Sequence, residues 1–263
     1  MENQPAKAII PDTMSTDDLA RNATDVRARV AEAAQHANRR PEDVLIIAVT
    51  KTVALGRMLT AAALGFTVFG ENRVQEAMEK QDRLRALLAQ APATYPGIRW
   101  ELIGHLQSNK ATRAVERFAR IQSVDSLRLA QELERRAAHH APDATLPILL
   151  EVNVAGEASK SGLMVDDVFG VARALAALPH LRPDGLMTVA PLVADPEDVR
   201  PVFRRLRELR DQLRETAPQG ADGGWRELSM GMTDDYSVAI EEGATIVRIG
   251  RGIFGARPQT LTP

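Results

Sequence analysis

Apolar residues recur at three- and four-residue spacing at Leu19, Ala23, Val26, Val30 and Ala34, with polar residues between them. That period lines one face of a helix and predicts an amphipathic helix of about six turns. Ser15 precedes it with Asp18 three residues on, the pair that caps a helix reciprocally. After Pro41 the pattern changes. The run VLIIAVT at 44–50 is apolar at successive positions, so both faces are buried, as in a parallel strand covered by helices.

From there the two patterns alternate. Strands are expected at 44–50, 67–69, 98–103, 119–123, 146–154, 182–189, 225–229 and 245–250, and helices near 54–64, 72–90, 109–117, 126–140, 165–178, 196–216 and 234–242. Eight strands joined by helices, behind one extra N-terminal helix, point to a single α/β domain, a closed (β/α)8 TIM-type barrel. The chain of 263 residues suits that fold, which needs about 250. Residues 1–14 read as a flexible N-terminal extension, 15–257 as the barrel and 258–263 as a C-terminal tail. The Gly-rich stretch 219–224 reads as a loop before the seventh strand, not a domain boundary.

Composition narrows the chemistry. With 33 basic and 35 acidic residues the net charge is −2, and no block of one sign offers a footprint for nucleic acid or an acidic membrane. The absence of cysteine excludes disulfides, thiolate metal sites and a cysteine nucleophile. The first fourteen residues lack the basic start and apolar run of a signal peptide, and the apolar stretches are too short to cross a bilayer. A soluble, cytoplasmic monomer is the expectation.

Ligand-like residues fall just after the expected strands: Lys51, Glu71-Asn72, His105, Asp125, Asn153, Thr188, Ser229, and Arg248 with Gly250. A closed barrel gathers such strand ends on one face, where barrels of this kind place their sites. Lys51 leaves a buried strand, and a desolvated amine is suited to attack an aldehyde; the plain alternative is a lysine snorkelling from a strand end. The segment VRIGRG at 247–252 sets two glycines after an apolar strand, which lets backbone N–H groups approach a phosphate. LSMGMT at 228–233 adds the Ser229 and Thr233 hydroxyls. Together they describe a pocket for a phosphorylated aldehyde.

Other features have plainer readings. The arginine-rich segment 200–215 interleaves acids, and its apolar residues keep helical spacing, as on an outer helix face. His139-His140 suits a helix end better than a metal. His105 and Asn109 either line the pocket or cap the helix that begins near Ser108. Lys160 is the rival amine.

The segments AVTKT at 48–52, FGENRVQEA at 69–77, WELIGHLQSNK at 100–110, EVNVAGEASKSGL at 151–163, GLMTVAP at 185–191 and the long run LSMGMTDDYSVAIEEGATIVRIGRGIFGAR at 228–257 resemble the pyridoxal phosphate homeostasis protein family. Its fold is that of the N-terminal barrel of bacterial alanine racemase. The resemblance implies pyridoxal 5′-phosphate (PLP) held as a Schiff base on Lys51, with Asn72 in the cofactor pocket. It implies a phosphate site at Ser229, Thr233, Gly250 and Arg251, the last two through backbone N–H groups, and Arg248 at the pyridine nitrogen. A permanent cation there disfavours a protonated ring and so weakens it as an electron sink.

Two positions depart from the family. Val53 stands where many relatives carry a second lysine, and Arg251 where many carry a small hydroxyl residue. The implied role is intracellular vitamin B6 homeostasis, with supply of PLP to apoenzymes as a candidate activity. The alternatives are a PLP-dependent amino-acid racemase and a Schiff-base aldolase without cofactor. Related racemases take their second base, a tyrosine, from a further C-terminal domain. The sequence ends at Pro263 and has only Tyr95 and Tyr236, so no substrate turnover is expected.

Overall fold

The computed structural model describes residues 15–89, 97–157, 160–216 and 224–256. The expected extension 1–14, the tail 258–263, Tyr95 and residues 219–223 of the Gly-rich stretch lie outside them. Eight parallel strands close in sequence order: β1 Leu45–Val49, β2 Val68–Glu71, β3 Arg99–Leu102, β4 Arg120–Val124, β5 Leu146–Glu151, β6 Leu181–Met187, β7 Glu227–Ser229 and β8 Ile246–Ile249. Closure comes from β1 and β8, paired from Leu45 with Ile246 to Ala48 with Ile249. Around them lie α1 Thr16–His36, α2 Leu55–Ala63, α3 Val74–Leu88, α4 Ala111–Arg117, α5 Leu127–His140, α6 Val168–Leu175, α7 Arg200–Thr216, α8 Tyr236–Glu241 and α9 Arg251–Phe254. The barrel and its extra first helix are as the sequence pattern predicts. The expected helices at 165–178 and 196–216 each open with a 3-10 turn, and α9 was not expected.

The strand period of two explains the two apolar layers. Outward residues such as Ala48, Phe69, Leu102, Ile121 and Ile148 meet the helices. Ile47, Val68, Leu149, Met187 and Ile246 form a smaller cluster inside the barrel. The interior is tight: a Cβ on Gly70 would stand 2.7 Å from Ile47 Cγ2. Polar residues fill the rest of it, Glu101, Gln122, Ser229 and Arg248 among them, all buried.

Helix α1 starts where the Ser15 hydroxyl accepts from the Asp18 N–H at 3.1 Å and Asp18 Oδ2 accepts from the Ser15 N–H at 3.1 Å. Its buried face, Leu19 to Ala34, packs on α8, α9 and α2. The arginines of α7 have a structural role. Arg200, Arg204 and Arg207 converge on the buried carboxylate of Glu242 at 3.3, 3.0 and 2.8 Å, while Phe203, Leu206, Leu209 and Leu213 face the core. Burial pushes the Glu242 carboxyl up, but the three arginines outweigh it and hold it below its usual range.

Candidate functional site

Lys51 follows β1, half-buried, in a turn that its neighbours fix. The Thr50 hydroxyl donates to Glu71 Oε1 at 2.7 Å, and Lys80 from α3 donates to the Thr50 carbonyl at 2.6 Å. Lys80 also pairs with Glu71 at 2.8 Å and Glu76 at 2.7 Å. Thr52 adopts a left-handed backbone, φ 64°, and its N–H donates to Glu76 Oε1 at 2.6 Å. For a β-branched residue that conformation is strained, so the bonds on either side hold the turn against it. Burial raises the Glu71 carboxyl, opposed by Lys80 and Thr50. Glu71 therefore braces the turn from outside the barrel; as a strand-end ligand it was misread.

Across the closure lies the β8–α9 turn. Lys51, Val49, Gly250 and Arg251 border one cavity of about 50 Å³. It is too small for a ring and a phosphate together and marks where the lysine stem meets the turn. The Arg251 N–H opens α9, where a helix provides no internal acceptor. Its guanidinium is exposed and pairs with Asp234. The Thr233 hydroxyl accepts from the Gly252 N–H at 3.4 Å, tying the β7–α8 turn to α9.

The glycines differ in kind. A Cβ on Gly252 would stand 2.9 Å from Ile249 Cγ2, and one on Gly231, at φ 91°, 2.6 Å from the Ala239 Cβ. Packing explains both. At Gly250 the nearest atoms would lie at an ordinary 3.5 Å.

Arg248 points into the barrel, 4% exposed. It donates to Ser229 Oγ at 2.6 Å and to the Thr188 carbonyl at 2.8 Å. Burial pushes its pKa down to about 10, with Asp235 and Glu151 opposing, so it stays a cation at neutral pH. The Ser229 hydroxyl donates in turn to Gln122 Oε1 at 2.6 Å. Ser229 was expected to serve a phosphate, but its hydroxyl is committed inside the barrel to Arg248 and Gln122.

The rest of the rim is acidic. His105 Nδ1 lies 3.0 Å from Asp125 Oδ2 and 3.4 Å from the Ser161 hydroxyl, so the imidazole faces the rim and caps no helix. Glu151, at the end of β5, is 8% exposed and one of its carboxylate oxygens has no partner. Burial, then Asp125, pushes its pKa up to about 7 against Arg248 and His105. Asn72 is half-buried after β2, its carbonyl 2.5 Å from where a Cβ on Gly104 would stand. Asn153 Nδ2 donates to the Glu157 carbonyl at 2.8 Å, and the Thr188 hydroxyl donates to the Val152 carbonyl at 2.7 Å; both shape loops. Lys160 pairs with Glu157 at 2.7 Å.

Tyr236 is buried, and burial raises its phenol although Arg29 of α1 lowers it by charge and hydrogen bond; it faces the outer helices. Among the described residues no group of ligands is set to hold a metal, and no helix is long and apolar enough to cross a membrane. Sequence reading missed Lys80, Gln122 and Glu151. Gln122 gave no separate signal, because it is one of three polar residues in the five-residue strand RIQSV.

The alanine racemase N-terminal domain family matches residues 22–258. The pyridoxal phosphate homeostasis protein of Pseudomonas aeruginosa is 44% identical over 245 residues, 93% of this chain and 97% of that one. The protein of the same name from Escherichia coli K12 is 37% identical, over 92% and 97%. A solved structure of an unknown protein from Bifidobacterium adolescentis superposes with a TM-score of 0.83 at 37% identity, covering 93% and 97%. PipY of Synechococcus elongatus, solved with PLP bound, gives 0.75 at 34% identity, covering 90% and 100%. The alanine racemase of Corynebacterium glutamicum, 18% identical with a TM-score of 0.61 over 94% and 64%, shares the fold.

Proposed function

The chain belongs to the pyridoxal phosphate homeostasis protein family, and from that premise we propose that it binds PLP as a Schiff base on Lys51 and serves intracellular vitamin B6 homeostasis as a cytoplasmic protein. The observation that carries the reading is the shared cavity, which sets Lys51 beside the Gly250–Arg251 backbone although Gly250 lies 199 positions further along the chain.

The donor set fits the cofactor chemically. A lysine amine at the rim suits an aldehyde, and a buried arginine suits a ring nitrogen that accepts a hydrogen bond. Backbone N–H groups at the start of α9, with the Thr233 hydroxyl, suit a phosphate. When bound, PLP supplies the electrophilic carbon and an electron-withdrawing ring. Lys51 forms the covalent link, and the Lys80–Glu71–Glu76 brace keeps its turn in place. Gly250, Arg251 and Thr233 hold the phosphate, and Asn72 borders the pocket. Ser229 acts on Arg248 in place of the phosphate.

Arg248 remains charged, so it disfavours a proton on the ring nitrogen and with it carbanion chemistry. Racemisation needs a base on each face. Tyr236 bonds to Arg29 and is poorly placed for the second. Binding and release of PLP, with delivery to apoenzymes, is the function that remains.

Titration of the purified protein with PLP tests this. A visible absorption band should saturate at one PLP per chain and vanish in Lys51→Ala while circular dichroism is retained. D- and L-amino acids should show no sustained turnover. Robust racemisation that disappears in Tyr236→Phe would overturn the reading.

A further inference from the structure

Behind Arg248 a line of hydrogen bonds runs across the barrel interior, and each member has only one way to take part. An arginine donates and never accepts, so Ser229 Oγ, 2.6 Å from Nη1, is the acceptor. The single hydroxyl hydrogen of Ser229 must then go elsewhere, and it goes to Gln122 Oε1 at 2.6 Å. The other end of the Gln122 amide meets Glu101 Oε2 at 2.6 Å. A carboxylate accepts, so the amide must present its nitrogen to Glu101 and its oxygen to Ser229. Glu101 is itself held by Arg99 at 3.4 Å and Arg120 at 3.9 Å. Ser229, Gln122 and Glu101 are fully buried, and four strands, β8, β7, β4 and β3, contribute one member each.

We propose that Gln122 is a positioning residue for the cofactor: it fixes the rotor of the Ser229 hydroxyl and thereby the direction in which Arg248 presents its cation. The proposal rests on the reading that Arg248 meets the pyridine nitrogen. A serine hydroxyl alone turns freely and can offer either its hydrogen or a lone pair. With Gln122 Oε1 taking the hydrogen, a lone pair always faces Arg248. Both acceptors on the guanidinium, Ser229 Oγ and the Thr188 carbonyl, are neutral. The carboxylate at the end of the line, Glu101, is kept two groups away. Arg248 is thus aimed without being neutralised at contact, as a cation opposing a protonated ring requires.

The test is a double-mutant cycle on the whole protein with PLP as the probe. PLP affinity, the position of the visible band and the melting temperature without PLP are measured for Ser229→Ala, Gln122→Met, both together, and Arg248→Met. Each of the first two should weaken PLP binding about five- to tenfold and shift the band in the same direction. Gln122→Met should add nothing further to affinity or band in the Ser229→Ala background. Multiplying effects on affinity, or a lower melting temperature with an unmoved band, would mark Gln122 as merely structural and overturn the proposal. If Gln122→Met does not fold, Gln122→Asn, which keeps the amide but is too short to bridge both partners, is read in the same cycle. If Arg248→Met itself leaves affinity and band unchanged, the assignment of Arg248 to the ring fails first; if Arg248→Met weakens binding and the Gln122 variants do not, only the relay fails.

Discussion

Glu151 shows how a single buried group links the site to stability. Its pKa, pushed up to about 7 by burial and Asp125, lies above the roughly 4.3 of an unfolded glutamate. The folded state therefore binds that proton more tightly, and stability falls as pH rises from about 4.3 to about 7. Replacing the carboxylate by its neutral isostere, Glu151→Gln, should raise the melting temperature at pH 8, by the equivalent of roughly 1–3 kcal/mol. The gain should shrink toward pH 5; an equal effect at both values would mean that the group is ionised throughout. At this scale the sequence revealed residues at strand ends. Lys51 and Gly250 stood out because each follows an apolar run, and Arg248 because it is the one charge within such a run. It could not say which way a strand-end side chain turns, so Glu71, which with Lys80 of α3 braces the Lys51 turn from the end of β2, looked like a ligand. Ser229 looked like a phosphate hydroxyl for the same reason, although Arg248 and Gln122 engage it.

Periodicity and caps located the longer helices and every strand, because a face buried against the barrel must repeat at the period of its backbone. The capping pair at Ser15 and Asp18 set the start of α1 to within a residue. Helix α9 escaped, since four residues flanked and interrupted by glycine carry no period. Its two glycines, read together as a phosphate turn, have different reasons for being there. Gly252→Ala should lower the melting temperature, because its Cβ would press at 2.9 Å on Ile249 and overpacking costs about 1–3 kcal/mol. Gly250→Ala should leave the melting temperature unchanged and weaken PLP retention, since its Cβ would meet Val49 at 3.5 Å and stand beside the proposed phosphate N–H groups. Equal losses of stability in the two variants would remove the distinction and return both glycines to packing.

Closure of the barrel makes a site from the chain. The β1–β8 pairing lays the end of the first strand against the end of the last, so that Lys51 and the Gly250–Arg251 turn border one cavity. In an open sheet of the same strand order they would stand at opposite edges. Counting eight strand–helix units was enough to foresee that meeting. Contacts across the interior were beyond the count, because Gln122 meets Ser229 only through the packing of side chains inside the closed sheet. Acidic groups occupy the rim opposite, and the rival amine there, Lys160, is held by Glu157. The central claim is therefore that one lysine, chosen by closure, carries the cofactor. Borohydride reduction of the PLP-loaded protein followed by peptide mapping measures it directly: the label should be recovered on Lys51, and recovery of most of it on Lys160 or Lys110 would contradict the account.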